Sequence, residues 1–82
     1  MNVEMYQRAI LTVDFPAEGL RAGDVGTVVE KHVVPGVSEV GYNVEFFDMT
    51  GQTVAVIAVP ASSLREPTPQ DLPSVRVLSK AE

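Results

Sequence analysis

The segment that most constrains this chain is residues 20–32, LRAGDVGTVVEKH, in which a glycine-containing turn leads directly into a strand. Gly23 and Gly26 tolerate backbone angles that other residues disfavour, and Asp24 is a common turn residue. β-Branched residues, which favour strands, begin immediately afterwards at Val25. We therefore predict a strand that starts after a tight turn, with Gly23 and Gly26 in turn or bulge geometry.

Further short strands are predicted on both sides of this turn. Their breaks are marked by Pro16, by Pro35 with Gly36 and by Gly51, because proline ends regular pairing and glycine favours turns. The clearest alternation of apolar and polar residues, typical of a strand with one buried face, occurs at residues 42–46. The predicted strands span residues 8–15, 25–34, 42–46, 53–59 and 64–66, with a short 3₁₀ turn at 60–64.

Short strands without helical periodicity predict an all-β fold, a small five-stranded antiparallel SH3-like barrel. Its long first loop corresponds to residues 17–24. The domain is expected to span residues 7–67, and residues 68–82 form a Pro-rich linker and tail. Because residues 74–79 alternate as a strand does, the tail is predicted to be either disordered or an edge strand. With 82 residues and no cysteine, the chain has a small core and no disulfide.

Apolar residues are more numerous than one small interior can hide. They make up 45% of the chain, both faces of the strand at 53–59 are apolar, and Phe47 falls on the face opposite Phe46. The surplus is either covered by loops, barrel ends or the tail, or it forms a surface for self-association or a partner. The residues predicted to point inward are Ile10, Val13, Leu20, Val25, Val28, Tyr42, Val44, Phe46, Val56 and Leu64. The residues predicted to bind a partner are Phe47, Ile57 and Val29, together with Val75 and Val77, which would add a strand to an exposed edge.

The charge of the chain narrows the class of partner. Six lysines and arginines against eleven acidic residues give a net charge of −5. Nucleic-acid binding draws most of its affinity from basic side chains on phosphates, so no nucleic acid is expected. The acidic balance either serves solubility alone or indicates a basic protein as partner. The sequence lacks the run of about 18 apolar residues that a membrane span needs, and no membrane association is expected. The absence of cysteine fits a reducing cytoplasm, which is the predicted location.

Catalysis is not expected. His32 is the only histidine and there is no cysteine, so the usual nucleophiles and bases are scarce. A general-base role for His32 would require a partner such as Glu30 or Glu45, and an exposed strand histidine is the simpler interpretation. Ser62 and Ser63 would act as nucleophiles only beside an acid–base pair, and a serine at the start of a 3₁₀ turn is more common.

No cofactor or metal site is expected either. The glycines of the first loop match no nucleotide-binding fingerprint, and no Gly-Lys-Ser/Thr run follows them. Asp14, Glu18 and Asp24 would bind Ca²⁺ weakly if they converged, but their spacing is not that of an EF-hand. Tight turns account for the glycines without a ligand.

Four segments carry a resemblance to a known family: LTVDFP at 11–16, GLRAGDVGTVVE at 19–30, GYNVEF at 41–46 and LR at 64–65. Over about residues 9–67 the chain resembles a bacterial family of short proteins known only as a domain of unknown function. The resemblance implies an SH3-like barrel without established catalytic residues. Because genes of this family often lie beside toxin-like genes, it also implies an antitoxin or immunity-type role. The loop at 35–40 and the C-terminal tail depart from the family pattern.

These observations together predict a non-enzymatic protein-binding module. The first form of this prediction is an antitoxin or immunity-type protein that neutralises a cognate, basic toxin. The alternative is a structural or accessory subunit of a larger bacterial complex. Association into a homodimer is compatible with either form, since the apolar surplus would serve both.

Overall fold

The computed structural model describes residues 4–33, 35–36 and 39–78. Five antiparallel strands form one sheet in the order β4-β3-β2-β1-β5, and the sheet curls into a half-barrel consistent with a small SH3-like barrel. The predicted all-β fold is therefore confirmed. No helix among the described residues is long and apolar enough to cross a membrane. The strands are β1 (Arg8–Leu11), β2 (Val25–His32), β3 (Gly41–Phe47), β4 (Thr53–Pro60) and β5 (Leu64–Arg65), with 3₁₀ turns at Pro16–Glu18 and Ala61–Ser63.

Strand β1 is shorter than predicted. The sequence pattern extended it to Phe15, but it ends at Leu11, and Phe15 forms an isolated bridge with Leu20 around the first 3₁₀ turn. The chain leaves the sheet between these points, so the predicted inward position of Val13 is wrong and its side chain is exposed. Strand β2 ends at His32, and its predicted last residue, Val34, lies outside the described residues.

The main core lies on one face of the curled sheet. Tyr42, Val44 and Phe46 of β3 point into it, as the alternation at 42–46 predicts. Leu11, which was not among the residues predicted to point inward, is almost fully buried here, because Ala9 and Leu11 rather than Ile10 face this side of β1. The buried members of this core are Ala9, Leu11, Leu20, Val28, Tyr42, Val44, Phe46, Val59 and Leu64.

Strand β4 faces the core with the opposite set of residues from the one predicted. Val44 pairs with Ile57, and Tyr42 pairs with Val59, so Ala55, Ile57 and Val59 lie on the core side of β4. Val56 pairs with Glu45 on the other face, and the prediction that Val56 points inward is wrong. The physical reason is that both faces of this strand are apolar, so only the pairing register distinguishes them.

The two predicted glycine positions of the first loop differ in conformation. Gly23 has φ of 96°, in a turn as predicted. Gly26 lies within β2, opposite Ala9, and its predicted turn or bulge geometry is wrong. A Cβ atom on Gly26 would collide with Val44 Cγ1 and would lie 3.0 Å from the carbonyl oxygen of Glu45. Glycine is needed there for close packing between neighbouring strands.

Candidate protein-interaction surface

A row of apolar side chains crosses the face of the sheet that points away from the main core. Ile10 pairs with Val25 on one side and with Arg65 on the other. Thr27 pairs with Glu45, so continuing that register by two residues brings Val25 opposite Phe47. Paired residues of antiparallel strands project on the same face. Ile10, Val25 and Phe47 therefore form one row, which we call the outer row.

The outer row is covered at one end and open at the other. Ile10 is only 5% exposed although it does not belong to the main core. Leu78 of the tail, which is half-buried, and Ile10 line the same open groove. Val25 and Phe47 remain exposed, Phe47 to 45%. The result is a groove with an apolar floor, which we call the outer groove.

An arginine of the tail fixes one wall of the outer groove. Arg76 Nε donates to Asp24 Oδ1 at 3.1 Å, and its Nη2 donates to the Gly19 carbonyl oxygen at 3.1 Å. Asp24 also accepts from the backbone N–H of Arg21 at 2.9 Å, so the first loop holds this carboxylate in place. Residues 66–78, the described part of the tail, contain no strand, and Arg76 binds the first loop. Residues 79–82 lie outside the described residues.

A second arginine turns the chain toward the groove after β5. Arg65 donates two hydrogen bonds to the Asp71 carboxylate, at 2.8 and 2.7 Å. The backbone N–H of Thr68 donates to the same carboxylate at 2.7 Å. The Arg65 guanidinium is the main cause that lowers the pKa of Asp71, followed by the Thr68 N–H. This closed turn forms the start of the tail, and its two charged residues, Arg65 and Asp71, line the outer groove.

The opposite wall is the hairpin between β3 and β4. Asp48 Oδ1 accepts from the backbone N–H groups of Thr50 and Gln52, at 2.8 and 3.1 Å, and Gly51 has φ of 91° as predicted. A hydrogen bond from the Thr50 hydroxyl, followed by that from the Gln52 N–H, lowers the pKa of Asp48. The ordered hairpin holds Phe47 at the rim of the groove.

The residues predicted to bind a partner do not form one surface. Phe47 and Val75 both line the outer groove. Ile57 is packed against the main core, on the face of the sheet opposite the outer row. Val29 lies half-buried where the pairing of β2 with β3 shifts its register, and Val77 is exposed. Sequence reasoning missed Val25 and Ile10 because it assigned both to the interior, and it missed Arg76 because its partner lies 52 residues away.

The candidate catalytic residues are each in ordinary structural contacts. His32 Nε2 lies 3.8 Å from Glu30 Oε1 with both side chains substantially exposed. Glu45 accepts a hydrogen bond from the Thr53 hydroxyl. The backbone N–H of Ser62 donates to Glu39 Oε1 at 2.7 Å, and the Ser62 hydroxyl is the main cause that lowers the pKa of Glu39.

Two carboxylates of the first loop likewise bind other groups of the protein itself. Asp14 Oδ1 accepts from the Ala22 N–H at 2.9 Å, while Asp24 binds Arg76. Across residues 4–33, 35–36 and 39–78, no group of three or more histidine, cysteine or acidic side chains is placed to hold a metal ion. The outer groove, with its apolar floor, is therefore the candidate functional site.

A curled five-stranded antiparallel sheet with an apolar groove on its second face describes a small all-β protein. The chain belongs to the family described as Domain of unknown function (DUF4926), whose model matches residues 5–66. No curated protein and no solved structure shows significant similarity to the chain. The family match covers the strands that form the floor of the groove but not the tail that forms one wall.

Proposed function

We propose that this protein is a non-enzymatic protein-binding module and that the outer groove is its interface. The single observation that carries the proposal is the outer row, in which Ile10 is covered while Val25 and Phe47 stay exposed on an ordered strand pair. An aromatic side chain in an apolar patch is the type of residue that contributes most to protein interfaces. The ordered hairpin presents Phe47 with little conformational entropy left to lose.

The charges of the protein suggest that a partner is attracted by one property of the molecule and held by another. Arg65 and Arg76, which line the groove, are paired with Asp71 and Asp24, so these ion pairs add no net charge there. The chain nevertheless carries a net charge of −5. We therefore propose that a basic protein is drawn by the long-range field and held by apolar contacts in the groove.

The specific form of the proposal is an antitoxin or immunity-type protein that acts in the bacterial cytoplasm on a cognate basic toxin. This form rests on the family resemblance and on the net charge. An accessory subunit of a larger complex would use the same groove, and the identity of the captured partner distinguishes the two. Basic toxic activity in the captured protein supports neutralisation, and a component of a multi-subunit assembly supports the accessory role.

The substitution Phe47→Asp tests the proposal. Because Phe47 is 45% exposed, the variant is expected to fold with an unchanged circular dichroism spectrum. Immobilised wild-type protein should capture its partner from an extract of the native host, and the Phe47→Asp variant should capture at least tenfold less. The matched control is Val33→Asp, which makes the same change in charge at an exposed valine outside the groove lining.

Two outcomes would contradict the proposal. Equal capture of the same protein by wild type, Val33→Asp and folded Phe47→Asp would place the interface elsewhere. Loss of capture in both variants would show that the added negative charge, rather than the aromatic ring, is responsible.

A further inference from the structure

Strand β4 is a long edge strand. It spans Thr53–Pro60, and in the described sheet its single neighbour is β3. Alternate backbone N–H and C=O groups of an edge strand point away from the sheet and are available to another strand. A strand of eight residues offers this pairing over about 27 Å at about 3.4 Å per residue.

The two edges of the sheet differ in how well they resist pairing. Strand β5, at the other edge, has two residues, one of them the charged Arg65, and Pro67 follows shortly after it. Short length, charge and proline are the features by which proteins prevent edge-to-edge association. Strand β4, with the sequence TVAVIAVP, has no charged residue, and its one proline is at its last position.

Both faces of β4 are apolar up to the free edge. Val56 is 53% exposed and Ala58 is exposed on the outer face, while Ala55 and Ile57 pack partly against the main core. A strand added beside β4 would therefore match best with apolar, uncharged side chains on both faces. The chain itself contains such a strand, namely β4.

We propose that two copies of this protein pair antiparallel along their β4 edges, around a two-fold axis, into one continuous sheet. Residues directly opposite each other in antiparallel strands share a face, so the two positions in each pair must both be even or both be odd. With Val56 opposite Val56 of the second copy, Val54 lies across from Ala58 and Ala55 lies across from Ile57. Each of these three pairs is apolar and uncharged.

The charge of the molecule limits how a second copy can approach. Each copy carries a net charge of −5, so two copies repel each other over most approaches. An uncharged strand is where they approach with least repulsion. Added salt screens the remaining repulsion, so the dimer should strengthen as ionic strength rises. Binding of a basic partner through the outer groove should weaken under the same change.

Sedimentation velocity on the full chain tests the pairing. For the wild type, the dimer fraction should rise with protein concentration and with added sodium chloride. The Val56→Lys variant should be monomeric at concentrations where the wild type is mostly dimeric, because two lysines would face each other across the axis. Val33→Lys, which adds the same charge at an exposed valine away from β4, should dimerise as the wild type does.

Mixing two charge variants makes the test specific to this edge. Val56→Lys and Val56→Glu should each be monomeric, and their equimolar mixture should form dimers. A wild type that stays monomeric at all concentrations, or a dimer that survives in Val56→Lys, would overturn the proposal.

Hydrogen exchange on the wild type gives a measurement that does not depend on a variant folding. Amides of β4 that point away from β3 should exchange at least tenfold more slowly at high protein concentration than at low concentration. Exchange in β4 that is independent of concentration would overturn the proposal. Phe47→Asp should dimerise normally, so failure of this pairing and failure of the groove interface are distinguishable.

Discussion

At the scale of single residues, Gly26 occupies a position where the neighbouring strand leaves no room for a side chain. It lies inside β2, where any Cβ atom would collide with Val44 and approach the backbone of Glu45. We predict that Gly26→Ala lowers the free energy of unfolding by about 1–3 kcal/mol, the usual cost of overpacking a close contact. Urea denaturation measures it, with Gly41→Ala as control because a Cβ there meets nothing closer than 4.0 Å. Equal stability of the two variants would contradict this packing.

The Asp71 carboxylate gives a residue-scale prediction in pH. Its pKa is lowered below the ordinary value of 3.8, mainly by Arg65, so the ionised form is favoured in the folded state. The stabilisation from Asp71 is therefore present above about pH 3.8 and is lost as the pH falls through the lowered pKa. The melting temperature of Asp71→Asn should be below that of the wild type at pH 6, and the difference should shrink as the pH falls below 4.

The control for this titration is Glu18→Gln, which removes an exposed carboxylate from the first loop. Its melting temperature should follow that of the wild type across the same pH range. A difference between Asp71→Asn and the wild type that stays constant down to pH 2 would show that the ion pair with Arg65 is not its source.

At the scale of elements, the described tail is held near its start by the Arg65–Asp71 ion pair and, beyond Asp71, by hydrogen bonds of one side chain, Arg76. Arg76 bonds Asp24 and the Gly19 carbonyl oxygen of the first loop. We predict that Arg76→Ala releases the tail, because the remaining described tail residues are largely exposed. Limited digestion with proteinase K, followed by mass spectrometry, should show cleavage within residues 67–78 at least fivefold faster than in the wild type.

Arg21→Ala removes the same side chain from an exposed position in the loop that Arg76 contacts, and should leave the rate of cleavage unchanged. If Arg76→Ala is cleaved at the rate of the wild type, contacts other than this arginine hold the tail.

The elements also show what the sequence could and could not predict. The succession of five strands along the chain, the hairpin at Gly51 and the inward face of β3 follow from local signals, namely turn residues and alternation. The inward face of β4 does not follow, because both of its faces are apolar and the register with β3 decides between them. Arg76 and Asp24 are 52 residues apart, so no local pattern indicates that they meet.

The candidate site was predictable only in part for the same reason. Phe47 was identified from its position next to Phe46, which forces the two rings onto opposite faces. Ile57 was assigned to the same surface by the wrong parity of β4. Ile10 and Val25 were assigned to the interior because the sequence does not show which face of β1 and β2 encloses the main core. Ile10 is buried, but on the outer face, and Val25 is exposed.

At the scale of the whole molecule, the sheet has two apolar faces with different roles. One face encloses the main core, and the other carries the outer row, of which only Ile10 is buried. A chain of 82 residues has a small core, so exposing Val25 and Phe47 gives up burial that the fold would otherwise use. A partner that covers the open part of the row restores that burial, which is the physical basis of the proposed interface.

The most direct test of this interface is a map of amide chemical shifts in the isotopically labelled protein during titration with its captured partner. The measurement should be made at a concentration where self-association is absent, so that β4 pairing does not contribute. The shifts should concentrate at Ile10, Val25 and residues 46–49, and the same titration of Phe47→Asp should leave these signals unchanged. Shifts confined to β4 or to the opposite end of the barrel around Glu39, with none along the outer row, would contradict the assignment of the groove as the binding surface.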